Sequence, residues 1–197
     1  GGKLIFIRHA YAPGSGDPSN FNLNDCSTQR NLSEEGKIQA KYIGEFFKNN
    51  NIKIDRVLSS EWCRCKETAL IAFKKFSTKN FLNSFYSSKF VKNKDKQISA
   101  LNDYIKKFKS NDNLILVTHY VLISEVLDYG PSSGEIVVSD KNFNIIGKLE
   151  INFWIIMSSK RAMKQAQKQA YAKHRSNINQ SRFNQKKVNF IKKNKKN

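Results

Sequence analysis

The amino-acid sequence predicts an α/β fold, a three-layer sandwich in which a mostly parallel sheet carries helices on both faces. Short runs such as Leu4-Ile5-Phe6-Ile7 and Leu114-Ile115-Leu116-Val117 are apolar at every position, as strands buried on both faces are. Stretches of helical period separate these runs. Strand–helix alternation of this kind joins parallel strands by helical crossovers. At 197 residues, 39% of them hydrophobic, the chain is long enough for one domain with a real core plus an appendage.

The elements follow in order. Lys3 to Ile7 reads as the first strand, and Tyr11 to Asn31 as loop, broken by Pro13, Gly14, Gly16, Asp17 and Pro18. Ser33 is a helix N-cap, with Glu34 and Glu35 well placed against the dipole in the first turn. Ala40, Ile43, Phe46 and Phe47 form that helix's apolar stripe, which ends near Asn49-Asn50-Asn51. Ile54 to Leu58 is the second strand and Glu61 to Phe76 a helix. Ser77 to Asn93 has no clear period, and its Phe-rich part, Phe81 to Phe90, reads equally as a lid over a pocket or a cap on the sheet. Ile98, Leu101, Tyr104, Ile105 and Phe108 mark another amphipathic helix. Leu114 to Thr118 is a strand and Val121 to Leu127 a helix; Glu135–Ser139 and Ile145–Phe153 are antiparallel strands after a turn at Pro131 to Gly134.

This reading gives a catalytic-type domain over 1–153 and a basic polar tail over 157–197, helical at its start and then disordered. Thirteen of the 35 basic residues and none of the 16 acidic ones lie in 151–197, so residues 1–150 hold 22 basic and 16 acidic residues. Most of the formal +19 charge is therefore tail, a composition suited to nonspecific polyanion binding but matching no base-reading motif. No stretch approaches the ~20 apolar residues of a membrane span. Three cysteines, Cys26, Cys63 and Cys65, are too few for a disulfide framework. A Cys-x-Cys without a matching pair is a poor zinc signature, while a bridge from Cys26 to Cys63 or to Cys65 stays open for an exported protein. The chain opens on Gly1-Gly2-Lys3, leaving room for an upstream segment, so cytoplasm and bacterial periplasm both remain open.

Three strand ends concentrate the chemistry. Arg8-His9 closes the first strand, Arg64 lies just past the second, and His119 closes the run Leu114 to Thr118. Ligand groups of open α/β sheets collect at such ends. An Arg fork binds two oxygens of a phosphoryl group at once, and a neutral imidazole is a nucleophile toward phosphorus whose N–P bond is labile to water. The third histidine, His174, lies in the polar tail as a solvated side chain, and Trp62 reads as a packing residue rather than a substrate platform.

The ordered motifs resemble the histidine phosphatase superfamily, also called phosphoglycerate mutase-like, and within it the small SixA-like branch. The matching segments are Ile7-Arg8-His9-Ala10, Asn31 to Ala40 (NLSEEGKIQA), Leu58 to Ala69 (LSSEWCRCKETA) and Val117-Thr118-His119. The resemblance implies that His9 is the nucleophile, that Arg8, Arg64 and His119 hold the phosphate, and that neither a metal nor a cofactor is needed. It implies a phosphatase acting on a phosphorylated small molecule or a phosphoprotein; the alternative is a catalytically inactive phosphate- or polyanion-binding module. Ala10-Tyr11 follow His9 where mutases carry Gly and then an acid, and Tyr120 follows His119 where phytase-like members carry Asp. The general acid is therefore unassigned, with Asp17 and Glu125 as candidates, unless a good leaving group makes one unnecessary. Arg30, just before the helix cap, and Tyr11 on the same rim are candidate substrate contacts. Nothing in the sequence sets the oligomeric state.

Overall fold

The computed structural model describes residues 2–151 and, further along, Arg161 and Lys168. The chain divides into two units, Gly1–Phe153 and Trp154–Asn197, and the sheet and candidate site belong to the first. Apart from Arg161 and Lys168, both helical, the predicted tail of 157–197 lies outside the described residues.

Six strands form the sheet: β1 Leu4–Arg8, β2 Ile54–Ser59, β3 Ser77–Thr78, β4 Asn113–Thr118, β5 Ile136–Ser139 and β6 Ile145–Leu149. Their spatial order is β3-β2-β4-β1-β5-β6. The first four run parallel, β5 is antiparallel to β1, and β6 is antiparallel to β5. Five helices accompany them within residues 2–151: α1 Glu34–Asn49, α2 Cys63–Phe73, α3 Ser88–Val91, α4 Lys94–Lys107 and α5 Tyr120–Leu127.

The period of two along the central strands builds the two outer layers. Leu4, Phe6, Leu58, Leu114, Leu116 and Val137 join one buried cluster with Leu101 and Ile105 of α4 and Leu122 and Ile123 of α5. The alternate residues Ile5, Ile7, Val57, Ile115, Val117 and Ile136 join a second cluster with Ile43 and Phe47 of α1 and Ala69 of α2. Each such side chain stabilises the fold by about 1.5–3 kcal/mol when fully buried, so central strands apolar at every position demand helices on both faces. The predicted three-layer α/β sandwich is the fold observed.

Local differences have local causes. Ser33 caps α1 as expected, its Oγ accepting the Gly36 N–H at 3.2 Å. α2 is shorter than the predicted 61–76. At its start the Glu61 N–H is taken by Asn83 Oδ1 and Trp62 is extended; at its end Lys74 turns to a φ of +67° and leads into β3. The unperiodic 77–93 segment holds three short pieces: β3, a 3-10 turn at Asn80–Leu82, and α3. β6 ends at Leu149, and residues 152 and 153 of its predicted span lie outside the described residues.

Candidate active site

The sheet places the two imidazoles side by side. Arg8 pairs with Thr118 across the parallel ladder of β1 and β4, and the His9 N–H donates to the Thr118 carbonyl at 2.9 Å. His9 and His119, one step beyond each strand, are both buried, with ring centroids 5.5 Å apart in an edge-to-face arrangement. Gly134 closes the other side of β1, donating its N–H to the Arg8 and His9 carbonyls. Its φ of +73° and the nearness of the Gln39 side chain leave no room for a Cβ.

Hydrogen bonds set the tautomers. His9 Nδ1 lies 2.8 Å from the Ala10 carbonyl, which accepts a proton only, so Nδ1 carries the hydrogen. Nε2 is then a lone pair, and it accepts the Arg64 Nε–H at 3.2 Å. His119 Nε2 lies 2.8 Å from Ser60 Oγ. That hydroxyl donates to Asn83 Oδ1 at 3.1 Å, so the imidazole donates to it and His119 Nδ1 faces Arg64 Nη2 at 3.5 Å as an acceptor. Burial, reinforced by the Arg64 charge, depresses both imidazoles well below the usual 6.5. Both are neutral near pH 7.

Arg64, buried in the first turn of α2, is gripped on the side away from His9 by Asp17. Its Nη1 donates to Asp17 Oδ1 at 2.7 Å and its Nη2 to Oδ2 at 3.3 Å. Asp17 also accepts the Trp62 indole N–H at 3.0 Å and the Arg30 backbone N–H at 3.0 Å. Burial raises this carboxyl, but the Arg64 contacts and these two donors outweigh it and hold it below the ordinary carboxylate range. Arg8 donates from Nη1 to the Pro131 carbonyl at 2.9 Å. Its buried Nε has no hydrogen-bond partner among the described residues. Cys65, buried 3.5 Å from His119 Nε2, is no rival nucleophile, because burial pushes its thiol up to about 12.

These groups line a cavity of about 340 Å³, near the lower end of the ~300–1,000 Å³ of small-molecule sites. Arg8, His9, Arg64 and His119, predicted from three separate segments, all lie on its wall with Asp17 and Arg30. Arg30 lines the cavity, its Nε donating to the Gly16 carbonyl at 2.8 Å and its Nη1 to the Ala12 carbonyl. Three expectations need correction. Tyr11 is not among the cavity-lining residues, because its backbone is turned onto α1 by bonds to Ser33 and Gln39. Glu125 stands on the outer side of α5 paired with Lys94 at 2.8 Å, and is not on the wall. Asp17 is present as an ionised partner of Arg64 rather than as a stored proton.

Other site residues went unnoticed in the sequence. Ser60 orients His119, and Thr68 Oγ1 accepts the Ala10 N–H at 3.0 Å while donating to the Arg64 carbonyl at 2.7 Å. Gln29 ties the long loop to α2, its Oε1 accepting the Cys63 N–H at 2.9 Å, beside a Cys26–Cys63 disulfide that settles the open pairing. Cys65 remains a free thiol. A Ser directly after a buried strand was the one available signal for Ser60; Thr68 and Gln29 act through neighbours 58 and 34 residues away.

Residues 4–83, holding three of the four predicted groups, match the family model of the histidine phosphatase superfamily (branch 1). Over those residues the chain is similar to that superfamily. Among solved structures it is similar to the protein histidine phosphatase SixA complexed with tungstate, at 14% identity and a TM-score of 0.51, covering 76% of this chain and 97% of that one. It is similar to the phosphoglycerate mutase of Thermus thermophilus, at 15% identity and 0.51, covering 76% and 99%. A third is a phosphoserine phosphatase mutant from Entamoeba histolytica in complex with phosphoserine, at 18% and 0.52, covering 77% and 98%. Curated proteins include no significant sequence match. At these identities the solved structures establish the fold.

Proposed function

We propose that the chain is a phosphatase that hydrolyses a phosphomonoester or phosphoprotein through a phosphohistidine on His9. The observation that carries the reading is the tautomer: the Nδ1 proton goes to the Ala10 carbonyl, so Nε2 of this cavity-lining residue is a lone pair, held at 3.2 Å by the Arg64 Nε–H that an incoming phosphate oxygen would take over. The Nε2 lone pair attacks phosphorus, the bond from phosphorus to the leaving oxygen breaks, and that oxygen keeps the electron pair. Arg8 and Arg64 neutralise the non-bridging oxygens, electrostatic help of the kind that is usually the largest single contribution. Water then attacks phospho-His9, the N–P bond breaks, and its electron pair returns to Nε2. The similarity to a protein histidine phosphatase and to a phosphoserine phosphatase supports the class. The Cys26–Cys63 bridge favours an oxidising compartment over the cytoplasm.

The test is His9→Ala with an aryl phosphate. The wild type releases phosphate, takes up an acid-labile, alkali-stable phosphoryl label, and is unaffected by EDTA; the variant does neither reaction. Turnover at the wild-type level in His9→Ala would remove the assignment. A salt-sensitive association with nucleic acid, without any labelling, would instead identify a binding module.

A further inference from the structure

We propose that this site takes phosphate esters of phenols, phosphotyrosine being the biological form, in preference to esters of aliphatic alcohols. The proposal rests on the phosphatase reading of the site, and two independent features of the cavity carry it.

The first is the supply of protons. Among the described residues that line the cavity, Asp17 is the only carboxyl group, and both its oxygens are engaged by Arg64. Neighbouring carboxylates are committed elsewhere: Glu61 accepts from Asn83 Nδ2 at 2.6 Å, and Glu135 from the Tyr129 hydroxyl at 2.7 Å and the Ser132 N–H at 2.7 Å. An aliphatic alcohol leaves as an alkoxide about as basic as hydroxide, a poor leaving group without a proton donor. A phenol, with a pKa of about 10, leaves as an anion that takes its proton from solvent afterwards. General acid catalysis typically supplies ~10²–10⁴ in rate, so a site whose one carboxyl group is held by Arg64 discriminates by up to about that factor.

The second is the wall. Edge to face with His119 at 5.4 Å lies Trp62, which stacks on Phe21 at 5.1 Å and meets Phe90 at 5.5 Å. Trp62 is buried, but Phe21 and Phe90 keep part of their surface open on the cavity, and Tyr86 and Tyr120 stand exposed at its mouth. Arg8 lies over the Tyr120 ring, 5.4 Å from its centroid, so cation and aromatic surface meet within one pocket. A leaving group seated against this wall makes offset or edge-to-face ring contacts that an aliphatic chain cannot make.

In the reaction the His9 Nε2 pair forms the N–P bond, the P–O(aryl) bond breaks, and the phenolate departs with the electron pair and is protonated by water. The experiment compares kcat/KM for a series of substituted phenyl phosphates, phosphotyrosine, phosphoserine and glycerol phosphate. Phosphoramidate serves as a phosphoryl donor that needs neither a ring nor a proton donor on oxygen. The expected result is kcat/KM at least ~10² higher for the aryl than for the alkyl esters, with a steep dependence on leaving-group pKa. Phe90→Ala and Phe90→Leu should both raise KM for phenyl phosphate by roughly two- to tenfold, because the ring contact and not merely apolar bulk is lost. Equal turnover of aryl and alkyl esters, with phosphoramidate still phosphorylating His9, overturns the preference and leaves the phosphatase standing. No turnover and no labelling with any donor overturns both.

Discussion

A single hydrogen bond decides what His9 can do. The Ala10 carbonyl takes the proton on Nδ1 at 2.8 Å, so the imidazole turns its lone pair, not an N–H, toward the cavity. Burial and the Arg64 charge then keep the ring neutral to below the usual 6.5. The kinetic consequence has a definite sign: protonation of His9 abolishes nucleophilicity only once pH falls through the lowered folded value. Corrected for the second ionisation of the substrate phosphate near pH ~6, the acid limb of kcat/KM is expected below the usual imidazole value of 6.5. Stability moves earlier. Below 6.5 the unfolded chain binds protons on both imidazoles that the fold refuses, so stability falls by about 1.4 kcal/mol per pH unit for each until the folded values are reached. Melting temperatures that decline from about pH 6.5 while kcat/KM holds would show the two effects apart; a kinetic limb at 6.5 would contradict the depressed His9. Arg8, His9, Arg64 and His119 were legible because each ends or follows an apolar run. Asp17 and Glu125 were not distinguishable as acids, since the partners that decide their roles, Arg64 and Lys94, lie 47 and 31 positions away.

At the scale of elements, α1 and α2 pack closely because Gly44 has no side chain. A Cβ there would lie 2.3 Å from the Ala72 carbonyl oxygen and 2.9 Å from Ala72 Cα, backbone atoms of the opposing helix that cannot step aside alone. Gly44→Ala gains about 1 kcal/mol of helix propensity but forces the pair apart, at a cost of about 1–3 kcal/mol for overpacking. The expected balance is a net loss of stability, read as a fall in Tm of a few degrees; a rise would mean that the helices can separate freely. α1 was readable from Ser33, Glu34 and its apolar stripe, and the central strands from their continuous apolarity. Residues 77–93 were not, because β3 has two residues, the 3-10 turn three and α3 four, all too short to show a period. What organises them is their seat beside the ends of β2 and β4, reached through Lys79 and Leu82.

Over the whole molecule, the Cys26–Cys63 bridge closes a ring with a sequence separation of 37. A ring of that size restrains the unfolded chain by about 4 kcal/mol in the loop-entropy account. Reduction, or Cys26→Ser, should therefore lower Tm by roughly 8–16 °C, and thermal scans with and without a reductant check it. An unchanged Tm would mean that Gln29 and Arg30 alone hold the loop. The odd cysteine count hid this pairing in the sequence.

The adjacency of β1 and β4 reaches beyond stability. Because one rung of a parallel ladder fixes the distance between His9 and His119, the reacting centre is gauged by backbone bonding in the middle of the sheet. Tyr86 and Phe90 come instead from an excursion that carries no central strand. On the proposed phosphatase reading, sequence drift in that excursion exchanges one clientele of phosphate carriers for another while the two imidazoles keep their calibration.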